Sequence, residues 1–178
     1  MKILYFDTIA GISGDMTLGA MVNAGMPLEK LSSELSRLNL SGFELAARHV
    51  EQSGIVGVKI DVVVTDQPKY HRHLADINAI IEKGGFSKRV KEASTKIFHE
   101  IAVAEAKVHN STIDKIHFHE VGAVDSLVDI VGTAICLEHF GIEQVYSSPV
   151  KLGSGGFVKS QHGTLPVPTP ATLEILRG

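Results

Sequence analysis

The segment from Ala123 to Phe140 constrains the fold more than any other, because it has helical spacing yet is apolar in nearly every direction around its axis. Val124, Leu127, Val128, Ile130, Val131, Ile135, Leu137 and Phe140 leave little polar surface. A helix of this kind is stable in water only when other elements cover it on most sides, so the remaining chain has to wrap around it. The exceptions are Asp125 and Asp129, one turn apart on a single face, continued by the small residues Gly132, Thr133 and Cys136. This stripe is expected to form the floor of a polar pocket. Just upstream stand His117, His119 and Glu120. If residues 116–119 are extended, His117 and His119 share one face while Ile116 and Phe118 take the other, since side chains alternate along a strand.

Two carboxylates one helical turn apart repel each other weakly in water and strongly once desolvated. Asp125 sits in the first turn, where the positive end of the helix dipole offsets part of that repulsion. A divalent cation held by imidazole and carboxylate would offset more. His117, His119, Asp125 and Asp129 are therefore the expected metal ligands, pairing with Arg or Lys being the bland alternative. A second imidazole pair, His71 and His73, follows the polar loop 66–70 and could act as an arm that passes metal to the pocket. One cysteine against nine histidines excludes an internal disulfide or a multi-thiolate site. Nitrogen and oxygen donors suit nickel, zinc, iron or manganese.

Read in order, Ile3–Phe6 is expected as a buried strand. A glycine-containing loop over residues 7–16 leads to a helix through Ala24. Gly11, Ser13, Gly14 and Asp15 could bind an anion at that helix start, although neither the Walker loop nor the dinucleotide fingerprint is present. Ser13 or Asp15 as a plain helix cap is the competing reading, and Asp7 with Asp15 is a candidate second metal pair. Leu28, Leu31, Leu35 and Leu38 mark a core helix, and residues 43–50 and 56–65 a β-hairpin. Leu74, Ile77 and Ile81 mark the buried face of the next helix. In the helix over 87–109 the spacing predicts two rows, Val90, Ile97, Ala104 and Ser94, Ile101, Val108, facing the core. His99, Glu100, Glu105 and His109 then fall on its solvated side or at a pocket rim. Residues 144–152 are expected to pair with 157–159 across the turn 153–156. Residues 163–167, between alternating prolines, read as a presented loop with His162 at its base. Thr169 and Pro170 open a helix that the sequence barely begins, which suggests part of something longer. The fold class is mixed α/β, with helices packed on a small mixed sheet and the strand order open. Residues 1–178 form one domain, of which 153–178 could serve as a linker to a further domain.

With 44% hydrophobic residues the chain can bury a sizeable core. A net charge of -3, from 17 basic and 20 acidic residues, with no basic cluster interleaved with aromatics, gives no reason to expect nucleic acid as partner. No run is long enough for a transmembrane helix, and Asp7 interrupts the first apolar run too early for a secretory leader. The expectation is a cytoplasmic protein, with homo-oligomerisation left open.

Four stretches together carry a family resemblance: Phe6-Asp7 with Gly11 to Met16, His71-Arg72-His73 before a helix, the run from His117 to Gly132, and His162-Gly163-Thr164-Leu165-Pro166-Val167-Pro168. The chain resembles the N-terminal half of the LarC-type nickel insertion proteins of the nickel-pincer cofactor pathway. The resemblance implies binding of Ni2+ and its insertion into pyridinium-3,5-bisthiocarboxylic acid mononucleotide, driven by CTP with Mn2+ or Mg2+. It also implies a C-terminal half, continuous or as a separate chain, to which nucleotide binding is attributed. Under this reading His117, His119, Asp125 and Asp129 hold the metal and His71 and His73 shuttle it. Glu120 or His119 takes the proton from the ring carbon that bonds nickel, and the Gly11–Asp15 loop receives the mononucleotide phosphate. Two other readings of the same residues are a metal-dependent phosphoester hydrolase built on Asp7, Asp15, Asp125 and Asp129, and a nickel chaperone that forms no bond.

Overall fold

The computed structural model describes residues 1–65, 72–118, 123–160 and 162–177. His71, His119 and Glu120 lie outside the described residues. The architecture is mixed α/β. The long apolar segment forms α5 (Val124–His139), packed against α1 (Gly14–Asn23), α2 (Leu28–Ser36) and α4 (Lys88–Val108), with α3 (Leu74–Lys83) and a short α6 (Pro170–Ile175) against α4. Leu18, Leu31, Leu35, Phe98, Leu127, Val128 and Val131 are fully buried at the centre of these helices. None of the described helices is long and apolar enough to cross a membrane.

Local signals explain most boundaries. The Ser13 side chain accepts from the backbone of Met16, and that of Ser87 from Val90, satisfying free N–H groups at the two helix starts. The hairpin of β2 (Phe43–Gln52) and β3 (Ile55–Val64) pairs without a break from Phe43↔Val64 to Gln52↔Ile55. Ser53 and Gly54 close it with φ of +54 and +80°, the turn whose twist matches paired strands.

Among the described residues the strands form four two-stranded pairs rather than one sheet. β1 (Ile3–Phe6) runs parallel to β6 (Gln144–Ser147). β4 (Arg72–His73) is antiparallel to β5 (His117–Phe118), and β7 (Phe157–Ser160) to β8 (Gly163–Pro166). Several sequence expectations are corrected here. β1 is buried on one face only, with Ile3 and Tyr5 more than half exposed. The strand after α5 ends at Ser147 and runs parallel to β1 instead of pairing with residues 157–159, which pair with residues 164–166. Residues 163–166 are a strand, not a free loop, since Pro166 at its end has no N–H to contribute and its carbonyl suffices for the ladder.

On α4 the buried residues are Val90, Ser94, Phe98, Ala102, Ala104 and Ala106, so Val90, Ser94 and Ala104 lie inside as the spacing predicts, whereas Ile97 and Val108 are exposed. Phe98 governs this choice: a large ring outweighs two β-branched residues, and the i, i+4 row through it faces the core. The stripe Gly132, Thr133, Cys136 is not a polar floor. Gly132 and Cys136 are buried in the apolar core, and a methyl group on Gly132 would stand 3.0 Å from Leu18 Cδ2. The small residues let α1 and α2 approach α5.

Candidate functional site

The N-termini of α1 and α5 lie side by side and bring Asp15, Asp125 and Asp129 together. Asp129 is packed over Gly14 so closely that a Cβ there would meet its Oδ2 at 2.3 Å. Its Oδ1 is buried and has no hydrogen-bond partner. Burial first, then the negative charges of Asp15 and Asp125, push its carboxyl up to about 6. Asp125 Oδ1 accepts from the Ser126 backbone at 2.7 Å, and Asp15 accepts from the Ser13 hydroxyl. Three carboxylates with one orphaned oxygen form a region of negative potential to which a cation suits better than an anion. The Gly14 end of the first loop therefore faces carboxylate. Its other end, Gly11, lines a separate open cleft of about 630 Å3 that also contains Lys151.

The imidazoles assemble elsewhere. The β4–β5 ladder sets His73 opposite His117, with ring centroids 4.0 Å apart and the planes tilted by 46°. His73 Nδ1 lies 3.0 Å from the carbonyl oxygen of Ile116. A carbonyl only accepts, so Nδ1 is the donor, and in the neutral ring Nε2 carries the lone pair. Asp76 Oδ2 accepts from the His73 backbone at 2.9 Å, which ties this residue to the start of α3. His117 is exposed and opens on a cavity of about 300 Å3 lined also by Glu105, His109 and His162. The rings of His109 and His162 are 4.8 Å apart, and His109 Nε2 lies 3.4 Å from Glu105 Oε2.

The structure thus unites Asp125 with Asp129 and His117 with His73. The cavity that His117 lines contains neither aspartate. Among the described residues no three His, Cys, Asp or Glu side chains are arranged to hold one metal ion. Asp7 ends β1 in an exposed position, and its carboxyl is not among the charges that act on Asp129. Sequence reasoning treated Glu105 and His109 as solvated or rim residues. Only the packing of β7, β8 and α6 against the end of α4 reveals that they belong to one cavity with His162.

Comparison with known proteins identifies relatives of the chain. Residues 4–178 match the family model described as nickel insertion protein. A relative from Acetivibrio thermocellus, named pyridinium-3,5-bisthiocarboxylic acid mononucleotide nickel insertion protein, is 49% identical over 185 residues, covering 99% of this chain and 45% of its own length. One of the same name from Geobacillus kaustophilus is 48% identical over 187 residues, covering 100% and 45%. A relative from Geotalea daltonii, also named for nickel insertion, is 54% identical over 181 residues, covering 100% and 46%. The chain therefore spans about half the length of these relatives. No solved structure gives a significant match.

Proposed function

The chain belongs to the nickel insertion protein family, and from that premise we propose that it takes part in placing Ni2+ into pyridinium-3,5-bisthiocarboxylic acid mononucleotide in the cytoplasm. Nickel is a substrate here, to be bound and then released. The observation that carries this reading is the His73–His117 pair. Anchoring of Nδ1 to the Ile116 carbonyl leaves the Nε2 lone pair of His73 for a metal, the arrangement by which ligating histidines are commonly held. A second imidazole stands 4.0 Å away, ring to ring. Two neutral imidazoles bind Ni2+ and can give it up, whereas a closed thiolate cage would retain it.

His71 and His119 supply further donors to that ion. Asp125 and Asp129 hold a cation at the start of α5, with Asp15 beside them. The ring carbon that bonds nickel loses a proton, and Glu120 or His119 accepts it. The phosphate of the mononucleotide lies toward Gly11, Ser13, Gly14 and Asp15. Negative potential at Asp129 requires either a bridging cation there or a phosphate displaced to the Gly11 end. CTP, with Mn2+ or Mg2+, drives the reaction, and the part of the family architecture that this chain does not span handles the nucleotide.

Calorimetric titration with NiCl2 tests the reading. The chain is expected to bind Ni2+, and His73→Ala/His117→Ala to lose at least about tenfold in affinity, the usual effect of disturbing a ligand shell. Unchanged affinity and stoichiometry in the double variant would sink the assignment.

A further inference from the structure

The cavity beside His117 is distinct from the acidic cluster and is larger than a metal ion needs. At about 300 Å3 it sits at the lower end of the range for small-molecule sites, roughly 300 to 1,000 Å3. That is room for one substituted aromatic ring, not for a whole mononucleotide. Its walls are of two kinds. Val158, Leu165 and Pro170 supply apolar surface, while His109, His117 and His162 supply imidazoles from three separate parts of the chain. Apolar walls with a few convergent polar groups are what a flat ring bearing charged substituents requires. Among the described lining residues the carboxylate is Glu105, and it is paired with His109, so it does not dominate the potential that an entering anion meets.

His117 faces this cavity and is also half of the His73–His117 pair. A ring bound here would therefore lie beside the proposed nickel donors. Thr169 lines both this cavity and the open cleft that contains Gly11 and Lys151. A substituent leaving the ring past Thr169 would enter the cleft where Lys151 can meet a phosphate.

We propose that this cavity binds the pyridinium ring of the substrate, with His162 donating to its acidic substituents, His109 doing so through Nδ1 as an imidazolium whose Nε2 is held by Glu105, and Lys151 taking the phosphate of the ribosyl arm. This rests on the function proposed above and adds the substrate-binding residues to it. The pyridinium sits in the imidazole cavity, the ribose passes Thr169, and the metal approaches from the His73 side.

Two defined probes test it: pyridine-3,5-dicarboxylate, which has the ring alone, and nicotinate mononucleotide, which has ring, ribose and phosphate. Binding is read from the imidazole nitrogen resonances and by calorimetry. Both probes are expected to shift the His109 and His162 resonances saturably. His162→Ala and His109→Gln should weaken both probes at least about fivefold. Lys151→Ala should weaken nicotinate mononucleotide only, and none of the three should change Ni2+ affinity. Probe shifts confined to residues outside the cavity would overturn the proposal, as would equal probe affinity in His162→Ala and the unaltered chain. A His73→Ala/His117→Ala variant with undiminished Ni2+ binding but intact probe binding at His109 and His162 would overturn the nickel assignment and leave the cavity's role standing.

Discussion

Asp129 presses its carboxylate onto the bare Cα of Gly14, one oxygen within 2.3 Å of where a Cβ would stand and the other buried without a partner. Only glycine fits at residue 14, and the buried charge is left to its neighbours Asp15 and Asp125. This arrangement disfavours the ionised form, holding the group at about 6, above its ordinary value of 3.8. An acid with a raised folded-state pKa binds its proton more tightly when folded. Its contribution therefore favours folding at low pH, declines between about pH 4 and about pH 6, and stays unfavourable above that window. Asp129→Asn should stabilise the metal-free protein at pH 7 by roughly 1 to 2 kcal/mol after allowance for solvent screening, and should change little at pH 4. Urea denaturation at the two pH values checks this; an equal effect at both would show that the charge is not the cause.

Asp76 tests how His73 is held. Its Oδ2 accepts from the His73 backbone at 2.9 Å and so fixes the residue that starts α3 and faces His117. Asp76→Ala should cost about 0.5 to 2 kcal/mol in thermal or chemical denaturation, the usual loss for an N-terminal cap. It should also weaken Ni2+ binding less than His73→Ala does, because the ligand survives while its anchor is loosened. A larger effect from Asp76→Ala than from His73→Ala on nickel would reverse the roles given to these two residues.

Cys136 gives a probe of the core. Its thiol is fully buried on α5, and burial pushes it up to about 12. The thiolate is the reactive form, so native protein should react with a chromogenic disulfide at least about a hundredfold more slowly than protein unfolded in urea. Rapid reaction of the folded chain would mean that α5 is accessible from the side that α1 and α2 cover.

The parts of this fold that were legible in the sequence are those specified locally. Ser13 as a helix cap, the hairpin closed at Ser53-Gly54 and the all-round apolar α5 each follow from a few neighbouring residues. What was not legible depends on partners far along the chain. Nothing near Gln144 indicates that it pairs with Ile3, and Phe157 pairs with Pro166 rather than with the strand before it. The same holds for the site. Asp125 and Asp129 are visible as a pair on one helix, but Asp15 joins them only once α1 packs on α5. His73 and His117 are 44 positions apart, and no spacing rule links them until the β4–β5 ladder forms. His109 and His162 were present as isolated imidazoles whose shared cavity is created by β7, β8 and α6 packing on α4.

Two glycines with similar sequence surroundings should behave differently because of what faces them. A methyl group on Gly132 would lie 3.0 Å from Leu18 Cδ2 and 3.4 Å from Leu35 Cδ1. Both are ends of side chains that can rotate by a few tenths of an ångström. Gly132→Ala should therefore cost roughly 1 to 3 kcal/mol, the usual range for overpacking, offset in part by the better helix propensity of alanine. On Gly19 a methyl group would meet the carbonyl oxygen of Val58 at 2.4 Å. That oxygen belongs to backbone within the paired stretch of β3, where Val58 faces His49, and it can move only if the hairpin moves. Gly19→Ala should therefore be the more damaging of the two, pushing α1 off β3 and lowering the denaturation midpoint well beyond the Gly132→Ala value. Parallel melts of the two variants decide it, and an ordering in which Gly132→Ala is worse would mean that α1 and β3 are not packed as closely as the 2.4 Å approach requires.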